Sequence, residues 1–251
     1  MSTAKIVIGN WKMHGSWARL CEFADLLGRE RLACQAALCV PFPLLGAAQA
    51  ALHATQLRWG AQDCSSESEG AYTGEVSAHM IREAGARYVL VGHSERRRRH
   101  RESDALVAAK ARRALAAGLT PIVCVGETAD ERDLHQTEAV LRGQLRELVR
   151  ALGRDLAQTL VAYEPVWAVG RGDAATPGLI DEALDFIERS LAFHAGGAAA
   201  AVRLLYGGGV QPGNAEALLS RRRVDGVLVG TASLSAREFA DICRAAARCT
   251  H

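Results

Sequence analysis

The chain has 251 residues, 49% hydrophobic and 23% charged, with a formal net charge of +2; this suits a globular protein of one or two domains and speaks against a dedicated nucleic-acid binder, which carries a strongly basic face. The opening "MSTAKIVIGN" lacks a basic region followed by a long apolar stretch, and no apolar run approaches the roughly 20 residues of a membrane helix, so neither a secretory signal nor a membrane span is expected. Seven scattered cysteines without a CxxC pair fit reduced thiols in a cytoplasmic setting.

In chain order, eight short β-rich runs end in glycine or polar residues: "KIVIGNW" (5–11), "ALCVPF" (37–42), "LRWGAQD" (57–63), "YVLVGH" (88–93), "TPIVCVGE" (120–127), "LVAYEP" (160–165), "RLLYGGG" (203–209) and "GVLVGTAS" (226–233). Several are apolar on consecutive residues, the pattern of strands covered on both faces. Helical patterns separate them. In "SDALVAAKARRALAAG" (103–118), Ser103 suits an N-cap, Val107, Ala111, Ala114 and Leu115 share a face, and Gly118 fits the stop. "TPGLIDEALDFIERSLAFH" (176–194) opens with Thr176 as a cap and Pro177 in the first turn, with acidic residues early and Arg189 late to match the helix dipole. The last helix opens on Ser235 and Glu238 at capping-box spacing.

Strand then helix, eight times over, is the pattern of an α/β fold closed as a (β/α)8 barrel. A doubly wound sheet would carry a G-x-G-x-x-G turn after its first strand, and "IGNWKMHG" is not that fingerprint. No Pro/Gly/Ser-rich linker divides the chain, so residues 1–251 read as one domain. The stretch "ERRRRHRE" (95–102) resembles a phosphate-backbone patch in isolation, but acidic residues bound it and no aromatics interleave; no nucleic-acid partner is expected.

Catalytic groups of such barrels sit at the C-terminal ends of the strands. Those ends here carry Asn10 and Lys12, Gln62 and Asp63, His93 and Glu95, Glu127, Glu164, Gly207 to Gly209, then Gly230 and Thr231. Glu164 by itself reads either as a capping or ion-paired carboxylate or as a general base. Pro165 and the apolar Val166, Trp167, Ala168 and Val169 favour a desolvated carboxylate with a raised pKa. His93 reads either as a structural histidine or as a neutral imidazole, its pKa lowered by a helical N-terminus. Lys12, one of three lysines, is either a solvated surface group or a compact point charge at the barrel mouth. Asn10 points to the same side as Lys12 if the strand geometry continues.

The glycines of "YGGGV" and "VGTAS" end consecutive strands, where backbone N–H groups approach phosphate oxygens closely. No H-E-x-x-H, Cys/His cluster or G-x-S-x-G is present, so no metal, no other cofactor and no serine-hydrolase chemistry are expected. The tripeptide "RGD" (171–173) is too short to carry an adhesion reading.

With these residues in place, the chain resembles the triosephosphate isomerases, the family of the TIM barrel. The likeness runs from the first strand to the last helix through "GNWKMH" (9–14), "GAQD" (60–63), "GAYTGEVSA" (70–78), "VGHSERR" (91–97), "CVGE" (124–127), "AYEPVWAVGRG" (162–172), "LYGGGV" (205–210) and "DGVLVGTASL" (225–234). The resemblance implies interconversion of dihydroxyacetone phosphate and D-glyceraldehyde 3-phosphate through an enediolate. Glu164 then matches the base, His93 the electrophile, Lys12 and Asn10 the stabilisers of developing charge, and Glu95 the family's second acidic position, an organiser of Lys12. Gly170, Gly209, Gly230 and Thr231 fall at the phosphate site, with the Gly170 N–H on a lid, "PVWAVGRGDAA", that closes over the intermediate. The loop around Thr73 implies a homodimer.

Three positions depart from the family pattern: Gly209 replaces a usual serine, Thr231 a usual second glycine, and Arg171 a small lid residue. They motivate the expectation that the Thr231 hydroxyl supplies the donor missing at Gly209. They also motivate two alternatives, a related isomerase acting on a tetrose phosphate and a sugar-phosphate binder without catalysis.

Overall fold

Runs of consecutive apolar residues make strands with two buried faces, and the chain folds into eight strands, a few of which begin or end on a polar residue. The computed structural model describes residues 4–28, 30–168 and 174–249. The strands are β1 (Ile6–Asn10), β2 (Gln35–Val40), β3 (Arg58–Ala61), β4 (Tyr88–Val91), β5 (Thr120–Val125), β6 (Leu160–Tyr163), β7 (Arg203–Tyr206) and β8 (Gly226–Val229). All pair in parallel in sequence order, and β1 also pairs with β8, Ile6 opposite Gly226, which closes the barrel. Alternate residues divide between two cores. Ile6, Ile8, Cys39, Leu90, Ile122, Leu205 and Leu228 fill the barrel interior, while Val7, Leu38, Val89, Val123 and Val227 pack outward under the helices.

The outer layer is α1 (Trp17–Leu27), α2 (Leu45–Leu52), α3 (Ala78–Glu83), α4 (Ser94–His100), α5 (Asp104–Ala116), α6 (Ala129–Asp133), α7 (Thr137–Leu152), α8 (Pro177–Ala195), α9 (Pro212–Leu219) and α10 (Ala236–Arg248). Ser103 caps α5 by accepting the Leu106 N–H, and Ser235 caps α10 by accepting the Glu238 N–H. Val107, Ala111 and Ala114 are buried on α5, Leu115 is half-buried, and Gly118 takes the left-handed φ of +77° just past the helix. In α8 the expected charge pattern is shifted. Thr176 occupies the N-cap position without a side-chain capping bond, the first turn holds no acidic residue, and His194 rather than Arg189 is the basic residue of the last turn.

Several strands are shorter than the sequence runs that predict them. β4 stops at Val91, β6 at Tyr163, β7 at Tyr206 and β8 at Val229. The residues beyond turn toward the rim, although the Glu164 and Gly207 N–H groups still donate to the carbonyls of Val125 and Tyr163 on the neighbouring strands. No described helix is long and apolar enough to cross a membrane.

Candidate active site

The first strand delivers two groups by different means. Asn10 ends β1, is buried, and its Oδ1 accepts the Lys12 N–H at 3.1 Å. Lys12 itself adopts φ +51°, the left-handed region that costs a non-glycine residue on the order of 1–3 kcal/mol. The strand geometry therefore ends at Asn10, and the condition under which Asn10 and Lys12 would share one side of the strand is not met. Two contacts hold the unusual backbone: the Asn10 bond on one side, and the Gln62 amide on the other, which donates to Lys12 O at 2.9 Å and Cys39 O at 3.0 Å. Lys12 Nζ meets Glu95 Oε1 at 2.7 Å. Burial acts to raise the Glu95 pKa, but the Lys12 contact outweighs it and the net direction is down.

His93 follows β4 and caps α4, its Nδ1 accepting the Glu95 backbone N–H at 3.2 Å. A ring that accepts at Nδ1 carries its proton at Nε2 when neutral. Nε2 faces Glu164 Oε1 at 3.2 Å, and Glu164 Oε2 accepts the Ser94 N–H at 3.4 Å. Both side chains are buried. The pKa directions differ from the sequence expectations because of this contact. Burial is the largest single influence on Glu164 and raises it; His93, the Ser94 N–H and Lys12 together overcome that and hold the carboxyl below its ordinary range. Burial likewise lowers His93, and the Glu164 carboxylate reverses the direction. The two groups behave as one coupled pair.

The glycine-rich strand ends close the other side. Gly209 adopts φ +55°, which a serine would strain, and a Cβ on Gly207 would stand 3.0 Å from Glu164 Cγ. Gly207 therefore fits the catalytic carboxylate and Gly209 fits the turn. After β8, Gly230 precedes the single turn Thr231–Leu234. Asn10, Lys12, His93, Glu164, Gly209, Gly230 and Thr231 all line one cavity of about 540 Å³, within the size range of small-ligand sites.

Val210, Gln211, Pro212, Leu228, Ala232 and Glu238 line it as well. Gln211 and Pro212 lie one residue past the glycine run, at the start of α9. Glu238 belongs to the first turn of α10, and only the docking of that helix places it at the cavity. Two expected rim groups go elsewhere. Asp63 turns to Lys110, at 2.8 Å, and to Arg96, at 2.7 Å, because two buried or half-buried cations lie behind the rim. Glu127, fully buried, accepts from Tyr163 Oη at 3.2 Å and from Trp167 Nε1 at 2.8 Å, and its carbonyl accepts the Val166 N–H. It thus anchors the base of the segment after Glu164, where Arg132 also stacks on Trp167 at 4.2 Å. Val169 to Asp173, which include the expected Gly170 and Arg171, lie outside the described residues.

The arginine run divides the same way. Arg96 pairs with Asp63 and Glu102, and Arg97 pairs with Asp104 while donating to the carbonyls of Gly92 and Cys124; Arg98, Arg99 and Arg101 are exposed.

Comparison with known proteins agrees with the geometry. The family model described as triosephosphate isomerase matches residues 5–246. The chain is 51% identical over 245 residues to the triosephosphate isomerase of Azoarcus sp. (strain BH72), covering 97% of this chain and 100% of that one. It is 52% identical over 248 residues to the Bordetella pertussis enzyme of the same name, covering 96% and 97%. The crystal structure of triosephosphate isomerase from Bartonella henselae superposes with a TM-score of 0.87 at 40% identity, covering 96% of this chain and 98% of that one. With barrel, cavity and full-length relatives in agreement, the chain belongs to the triosephosphate isomerase family, a family of aldose–ketose isomerases.

Proposed function

We propose that this chain interconverts dihydroxyacetone phosphate and D-glyceraldehyde 3-phosphate by proton transfer through an enediolate. The observation that carries the reading is the convergence of Lys12, His93 and Glu164 on one cavity whose far side is glycine backbone. Glu164, ionised and buried, takes the proton from one carbon and returns it to the next. His93 presents its Nε2–H at the position Glu164 now occupies, so a substrate oxygen entering between them takes over that hydrogen bond. Lys12 places an ammonium beside the same space, held by Glu95, and Asn10 adds a neutral amide; both favour the negative charge that builds up on oxygen. The low dielectric around the His93–Glu164 pair strengthens each of these interactions.

The phosphate falls to Gly209, Gly230 and Thr231. Thr231 carries the one side-chain hydroxyl among the described lining residues. Since Gly209 has no side chain to donate, the Thr231 hydroxyl takes that role. A hydrogen bond to a charged group contributes roughly 1.5–3 kcal/mol, so Thr231→Gly is expected to weaken a phosphate-bearing inhibitor about tenfold or more. Affinity within twofold of the parent, measured by titration calorimetry, would show that the Thr231 hydroxyl does not replace a donor at Gly209.

The proposal includes a homodimer formed around Thr73 and cytoplasmic residence. Supporting the dimer, Tyr72 beside Thr73 is 48% exposed, and Met13, Trp17 and Met80 are 94%, 53% and 56% exposed, an unusual display of large apolar groups. Supporting the cytoplasm, all seven cysteines are free. A coupled assay of the purified chain with both triose phosphates tests the reaction; turnover in both directions is the expected result. A tenfold or greater preference in kcat/KM for a tetrose phosphate would overturn it, although none of the relatives above supports that alternative.

A further inference from the structure

Arg97 lines no part of the active-site cavity, yet it grips the backbone beside both members of the reacting pair. It is the fourth residue of α4 and half-buried. Its Nε donates to Gly92 O at 2.8 Å and its backbone N–H to His93 O at 3.1 Å, so one residue holds both carbonyls of the turn that carries the imidazole. Gly92 is left-handed at φ +69°, and a Cβ there would stand 3.2 Å from Arg97 Nη2 and 2.6 Å from Val107 Cγ1, which packs the turn directly on the guanidinium. Nη2 also donates across to Cys124 O on β5 at 3.3 Å. The next carbonyl of that strand, Val125 O, accepts the Glu164 N–H at 2.8 Å. Asp104, in the first turn of α5, fixes Nη1.

We propose that Arg97 is a positioning residue of the isomerase, holding the His93 turn at its working distance from Glu164 by clamping that turn to the end of β5. The inference rests on the proposed reaction, which requires a substrate oxygen to enter between His93 Nε2 and Glu164 Oε1, now 3.2 Å apart. Arg97 touches neither side chain and takes no part in the proton transfer. Its planar fork reaches acceptors on three separate segments at once, which a single ammonium on a flexible stem cannot do. A displacement of about 1 Å at a reacting group costs about 10²-fold in rate, so even a small drift of the turn falls on kcat.

A merely structural role, tying α4 to α5 through Asp104, would leave the reacting pair unchanged, and the titration of His93 separates the two. Burial lowers the His93 pKa and the Glu164 carboxylate outweighs it, so the value depends on their separation. The other groups acting on the pair are Lys12 from the end of β1, Glu95 and the Ser94 N–H from α4, and the Cys124 thiol of β5, which burial keeps protonated. Arg97→Lys alters none of them and conserves the charge at its own position. A shift in that variant therefore reports geometry: as the turn drifts from Glu164, burial prevails and the His93 pKa falls.

The test follows the His93 ring of the full-length parent, Arg97→Lys and Asp104→Asn by NMR of the ring nitrogens across pH, and measures kcat and competitive inhibition by inorganic phosphate on the same samples. Expected for Arg97→Lys are a lower His93 pKa and a kcat reduced about tenfold to a hundredfold, with phosphate inhibition within about twofold of the parent, because the glycine strand ends form the far side of the cavity. Asp104→Asn, which releases one of the three contacts, should move both readouts the same way by less. Arg98→Lys, at the exposed neighbour, should move neither. An unmoved His93 titration in Arg97→Lys, or a kcat within about twofold of the parent, would overturn the positioning role. Phosphate inhibition weakened as much as kcat falls would overturn it as well, assigning Arg97 to the general stability of the site. A parent chain that turns over no triose phosphate would sink the proposed reaction instead, while the His93 titration still decides the clamp. Should Arg97→Lys fail to fold, Asp104→Asn carries the same two readouts.

Discussion

Glu164→Gln is expected to lower kcat roughly 10²–10⁴-fold, the range a positioned proton-transfer group contributes, while leaving the affinity for a phosphate-bearing inhibitor nearly unchanged. The substitution preserves shape. Glutamine still offers one oxygen to the His93 Nε2–H or the Ser94 N–H, and it fills the space against Gly207, where the carboxylate's own Cγ is closely packed. What it removes is the basic lone pair. The loss therefore falls on the chemical step, and kcat drops while KM and inhibitor binding hold. Glu164→Asp separates placement from charge: it keeps an anion but withdraws it by one methylene, and a misplacement near 1 Å is itself worth about 10²-fold. Steady-state kinetics on both variants decide the matter. If the glutamine variant retains kcat within tenfold of the parent, Glu164 is not the base.

The sequence exposes the barrel because strands buried on both faces are apolar at consecutive positions, a signal that survives without knowledge of their neighbours. It exposes Asn10, Lys12, His93 and Glu164 because the fold carries polar groups to the C-terminal rim, where no core role accounts for them. What stays hidden depends on distances between remote segments. The Lys12–Glu95 contact joins residues 83 positions apart, and only the family resemblance pointed to it. The opposite pKa directions of Glu164 and His93 follow from one 3.2 Å contact between loops. Nothing in "GNWKMH" announces a left-handed lysine, since that conformation is imposed by Asn10 on one side and Gln62 on the other. Asp63 sits at the rim by sequence and is drawn away by a lysine 47 residues later.

That lysine defines the largest expected effect on stability. Lys110 lies three residues after Val107 and four before Ala114, both buried on the inner face of α5, and it is buried there with them. Its ammonium donates to Asp63 Oδ1 and Oδ2 at 2.8 and 2.9 Å and to Glu102 Oε1 at 2.6 Å, and Arg96 bridges the same two carboxylates at 2.7 Å each. Burial raises the Asp63 pKa in spite of Lys110, whereas Lys110 and Arg96 pull Glu102 below its ordinary range against burial. Lys110→Met keeps the volume and removes the charge, leaving two buried carboxylates to share one half-buried arginine. Breaking such a cluster costs about 3–5 kcal/mol, or roughly 10 °C in Tm for a chain of this size. The pH dependence distinguishes lost charge pairing from lost packing. In the parent, Glu102 stabilises the fold above its unfolded pKa, and that contribution is lost as pH falls through its lower folded value. In the variant both carboxylates have folded pKa values above their unfolded ones, so the folded state binds more protons and gains relative stability as pH falls. The Tm gap between parent and variant should therefore narrow from about pH 7 to about pH 5. A gap that stays constant across that interval would assign the loss to packing, and an unchanged Tm at pH 7 would mean that the cluster contributes nothing to holding α4 and α5 against the barrel.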